Sequence, residues 1–93
     1  MNNKPQNESK NTYSLQIKNI RCPIDSQLIN YKAKMCSPKT IFVEDILIFI
    51  NEIKKKPLFQ EDLTKLLYNK FNLKYIKLSG THSKIKIKST IEK

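Results

Sequence analysis

Histidine and cysteine are scarce in this 93-residue chain, with one of the former and two of the latter, and that scarcity excludes most disulfide scaffolds and any zinc-finger spacing. A long apolar run is also missing. The longest, from Ile41 to Ile50, is broken by Glu44-Asp45 and falls short of the roughly 20 residues a membrane helix needs. The first twelve residues hold no apolar stretch that could serve as a signal peptide or anchor, so 1–12 reads as a disordered tail and 13–93 as a single domain without a membrane partner. A cytoplasmic setting is expected, with Cys22 and Cys36 as free thiols. There is no internal repeat, and a chain of this size buries only about 60–65% of its unfolded surface. Homo-oligomerisation is the expected source of the missing stability.

Lysine is what the chain has in excess. Lys and Arg together number 18 against 8 acidic residues, a net charge of +10, and Arg21 is the single arginine. Such an imbalance favours anionic partners, nucleic acid among them. The same richness in Lys, Ile and Asn, with almost no Ala, Gly or Trp, is also what an AT-rich genome writes, so composition alone leaves both readings standing.

Periodicity orders the elements. Tyr13, Leu15 and Ile17 alternate with Ser14, Gln16 and Lys18, which predicts a half-buried strand, and Leu28 to Met35 predicts a second with Ile29, Tyr31, Ala33 and Met35 on one face. Ser37-Pro38-Lys39-Thr40 reads as a turn and helix start. The period then changes, because Phe42, Ile46, Phe49, Ile50 and Ile53 form a helical stripe. A second helix is expected from about Gln60 to Phe71, with Leu63, Leu66, Leu67 and Phe71 on its stripe. Alternation returns in Tyr75–Ser79 and Lys84–Lys88, joined by Gly80-Thr81-His82-Ser83 as a hairpin. The order β-β-α-α-β-β predicts an α+β chain, an antiparallel sheet with a helix pair on one face. The other face is lysine-rich, and its unprotected edges invite pairing between subunits.

Candidate chemistry is sparse. Cys22, in Arg21-Cys22-Pro23-Ile24-Asp25-Ser26-Gln27, is either a small buried hydrophobe or a turn-presented thiol whose neighbouring cations favour the thiolate. Glu61-Asp62 and Glu44-Asp45 read either as carboxylates complementing a helix dipole or as ligand anchors, Glu61 being able to pair bidentately with a guanine-like edge. His82 reads as an exposed turn residue, and with no second histidine no metal site is expected. Lys84, Lys86 and Lys88, about 7 Å apart on a strand face, are a solvated row or a phosphate-facing one.

Taken together, Cys22-Pro23 with Gln27, Val43-Glu44, Phe59-Gln60-Glu61-Asp62 and Tyr75-Ile76-Lys77-Leu78-Ser79-Gly80 resemble, in order and spacing, the blocks of 7-cyano-7-deazaguanine reductase, a QueF-like enzyme of the tunnelling-fold (T-fold) group. The resemblance spans roughly residues 13 to 90. It implies a T-fold-like domain that oligomerises and binds a deazapurine or pterin-like base between subunits in queuosine synthesis, a tRNA modification. It further implies Cys22 as the nucleophile forming a thioimide with a nitrile, NADPH as reductant, and Glu61 and Glu44 as substrate-binding residues. The chain departs from the family pattern in three places: Ile29 replaces the proton-donating aspartate, Gln60 a histidine, and Asp45-Ile46-Leu47 the Ser-Lys-Ser linked to the cofactor. Asp25 is the carboxylate nearest Cys22 in sequence and the candidate for the missing proton donor. Two alternatives stand beside the reductase: an archaeosine-synthase-type amidine-forming enzyme acting on tRNA, and a non-enzymatic basic module binding nucleic acid or a protein.

Overall fold

The computed structural model describes residues 10–93. Its order is the expected one: β1 (Asn11–Arg21), β2 (Leu28–Ser37), α1 (Val43–Ile53), α2 (Gln60–Lys70), β3 (Tyr75–His82) and β4 (Ile85–Glu92). The four strands form one antiparallel sheet in the order β1-β2-β3-β4, so the helix pair is an excursion between two neighbouring strands. β1 begins two residues earlier than the alternation indicates, Asn11 and Thr12 pairing with Ser37 and Cys36; of the expected tail, residues 1–9 lie outside the described residues.

The helices cover one face of the sheet. Ile46 and Ile50 from α1 and Leu63, Thr64 and Leu67 from α2 are buried together with Ile17, Ile20, Ile29, Tyr31, Ala33, Met35, Ile76 and Leu78. The stripe expected for α1 loses one end, because Phe42 is its N-cap and 68% exposed; Leu66 is likewise exposed on α2. Strict alternation in β1 would turn Ile20 outward. A bulge between Ile17 and Ile20 reverses the parity, with Asn19 at φ 63° and its N–H donating to Asn30 Oδ1 at 2.9 Å, and so buries both isoleucines.

Two local signals shape the C-terminal half. After α2, Asn72 adopts φ 50°, its N–H donating to Asn69 and that of Leu73 to Tyr68, a Schellman closure that inserts Leu73 into the core. The expected hairpin link Gly80–Ser83 is displaced: Gly80, Thr81 and His82 continue β3, and the turn is Ser83-Lys84, both in the left-handed region with φ 52° and 69°, as a two-residue hairpin of type I′ requires. Lys84 therefore leaves the expected lysine row. Lys86 and Lys88 stay on the open sheet face, where Lys32, Lys34 and Lys77 join them through the strand register.

Candidate active site

Three connections gather one end of the sheet. The chain leaves β1 into a tight turn in which Cys22 N–H donates to Gln27 O at 2.8 Å and Ser26 N–H to Cys22 O at 3.0 Å, while the Arg21 guanidinium donates to Ser26 O. Leu58 N–H donates to Arg21 O at 2.9 Å, tying the α1–α2 connection to that turn. Gln60, at the start of α2, donates from Nε2 to both Leu78 O and Ile87 O, pinning the helix to β3 and β4. Between these ties lies a cavity of about 300 Å³, at the lower end of the roughly 300–1,000 Å³ typical of small-molecule sites. Its walls are apolar or aromatic, with Ile29, Tyr31, Leu58, Phe59 and Ile87, and its polar groups include Cys22, Glu61 and His82.

The continuation of β3 through His82 is what brings that ring to the cysteine. His82 Nε2 lies 2.9 Å from Asp25 Oδ2, and ligating atoms of Cys22, Asp25 and His82 all lie within 4.8 Å of one another. His82 is thus a half-buried strand residue rather than an exposed turn residue, because the reversal falls at Ser83-Lys84. No period or motif marks it; the only local signal is that a type I′ turn needs two adjacent residues tolerant of positive φ. Asp25 Oδ1 accepts the Gln27 N–H at 3.1 Å, and this bond leads the causes that hold its carboxyl below the ordinary aspartate value, with the Cys22 and His82 side chains adding to it. Burial, with the neighbouring Cys22 second, pushes the Tyr31 phenol up.

Of the residues singled out in the sequence, Cys22 and Glu61 line the cavity and Asp25 stands beside Cys22. Ile29, where the resemblance expects an aspartate, is an apolar part of the same wall. Glu44 is elsewhere, exposed in the first turn of α1 and not among the cavity-lining residues. Cys36 is on β2, half-buried and remote from Cys22 in the strand register. Among the described residues no helix is long and apolar enough to cross a membrane.

No family model and no curated protein matches the sequence. The fold does have a match in the crystal structure of the archaeosine synthase QueF-Like in its apo form, at a TM-score of 0.60 and 13% identity over 89% of this chain and 91% of that one. The likeness extends over nearly the whole of both chains and establishes an α+β, T-fold-like ββααββ architecture for this one.

Proposed function

We propose that the chain binds a guanine-like deazapurine nitrile and that Cys22 adds to its nitrile carbon. The observation that carries this reading is the convergence of Cys22, Glu61 and the His82–Asp25 pair on one base-sized cavity. A planar base enters between the apolar and aromatic walls, and the Glu61 carboxylate accepts its N1–H and 2-amino hydrogens. The Cys22 thiol passes its proton to the His82–Asp25 pair, sulfur bonds to the nitrile carbon, and the nitrile π electrons move to nitrogen, which takes the proton back. The product is a thioimide, the net addition of S–H across the C≡N bond, and no outside reagent is consumed. The pair takes over the proton-donor role that Ile29 cannot fill.

A thioimide can be reduced to an aminomethyl group or attacked by ammonia to give an amidine. NADPH is the reductant that the resemblance implies for the first outcome, and the ten cavity-lining residues include neither lysine nor arginine. Intact-mass measurement of the protein with 7-cyano-7-deazaguanine tests the shared step: the adduct is expected on the Cys22 peptide, absent in Cys22→Ala, and absence in the wild type sinks the reading. NADPH or ammonia added to the adduct then separates reductase from amidine former by product mass.

A second reading, a basic nucleic-acid-binding module, draws on the open sheet face. Lys32, Lys34, Lys77, Lys86 and Lys88 share it, and no ion pair engages them among the described residues. An RNA-binding curve whose affinity falls steeply with salt would favour it; binding absent at low salt would remove it.

A further inference from the structure

Sulfur, imidazole nitrogen and carboxylate oxygen from three separate segments meet at the mouth of the cavity, and this donor set belongs to a particular class of cation. Cys22 comes from the end of β1, Asp25 from the β1–β2 turn and His82 from the end of β3, with their ligating atoms within 4.8 Å of one another. We infer that this cluster is a binding site for a borderline-soft divalent metal ion, zinc above all. Magnesium and calcium take oxygen ligands, whereas thiolate with imidazole suits zinc, which accepts a carboxylate as its third protein ligand and keeps a fourth position open in non-structural sites. Cys22 and His82 also line the cavity, so an open position on that side is available to water or to a ligand.

The surroundings are built to hold the donors. The turn backbone fixes Cys22 through the Gln27 and Ser26 bonds, and the Gln27 N–H occupies Asp25 Oδ1, leaving Oδ2 for the cluster. Asp25 Oδ2 and His82 Nε2 stand 2.9 Å apart as a hydrogen-bonded pair, and opening to the roughly 3.3 Å between two ligands on tetrahedral zinc takes only a few tenths of an ångström. Binding replaces that hydrogen bond and releases the thiol proton, and the two anionic ligands balance a divalent charge in a chain whose net charge of +10 otherwise repels cations. A bound ion takes the Cys22 electron pair out of nucleophilic use. Metal and covalent addition to a base therefore compete for one sulfur.

The inference does not depend on the base-binding reading, and Glu61 separates them: Glu61→Gln weakens the base and leaves the ion. Metal-free protein titrated with zinc against a chromophoric chelator is expected to bind one equivalent per chain, and cobalt in its place should show a thiolate-to-metal charge-transfer band. Cys22→Ser and His82→Ala, checked for folding by circular dichroism, should lose more affinity than the roughly 10- to 100-fold that removal of an outer-shell partner costs. Cys36→Ser should bind like the wild type, and zinc should protect Cys22 from alkylation in the Cys36→Ser background. The site is overturned by the absence of stoichiometric binding, by a cobalt complex without the thiolate band, by binding that survives both Cys22→Ser and His82→Ala in folded protein, or by alkylation of Cys22 that zinc does not slow.

Discussion

Cys22 and Cys36 are both half-buried, so exposure does not set them apart. Their surroundings do. Cys22 has the His82 ring and the Asp25 carboxylate beside it as proton acceptors, and Cys36 lies on a strand face without either. In metal-free protein, timed alkylation with mass mapping is expected to label Cys22 first, and Cys36 labelling first would mark Cys22 as a packing residue. Glu61 is exposed, so its loss should sit at the low end of the range for a charged partner, about 2 kcal/mol of base binding, measured by calorimetry on Glu61→Gln. Asp25 gives a pH prediction with a definite sign. Its carboxyl is held low in the folded chain, so the stability it contributes is complete above the ordinary aspartate value of 3.8 and is lost as pH falls through the lower folded value. A carbon-detected NMR titration should place its midpoint below 3.8, and a midpoint at or above it would remove the hydrogen-bonded carboxylate.

The elements depend on a few residues that do more than follow a period. Gly80 pairs with Tyr31 on the helix-facing side, and a Cβ there would overlap the Tyr31 ring. Gly80→Ala must displace that ring from the cavity wall, and overpacking of this kind costs about 1–3 kcal/mol, readable as a lower denaturation midpoint. Gln60 has a comparable part at the start of α2, where one amide satisfies carbonyls on two strands. The strand and helix periods were readable because side-chain burial repeats with backbone geometry. The bulge at Asn19 and the turn at Ser83-Lys84 were not, since left-handed backbone is uncommon for Ser and Lys, and Asn, though enriched there, adopts it at only a few of its positions. Those two deviations bury Ile20 and carry His82 to the site.

For the molecule as a whole, the sheet has two open edges, β1 and β4, and β4 exposes Ile85 and Ile87 beside the cavity. An edge of this kind is expected to pair with another copy, which would also cover the exposed Phe59 at the rim. Sedimentation should report a multimer that Ile85→Lys shifts toward smaller species, and a stable monomer at micromolar concentration would remove an intersubunit pocket. The ββααββ order, the split between an apolar and a lysine-bearing sheet face, and the choice of Cys22 and Glu61 as candidates were all legible in the sequence, because each rests on local period or on a short motif. What only the tertiary structure decided is the company these residues keep. Asp25 and His82 are 57 positions apart, and no rule of spacing joins a turn after β1 to the end of β3. Their meeting follows from strand register, which is set by the packing of the entire sheet against its helices.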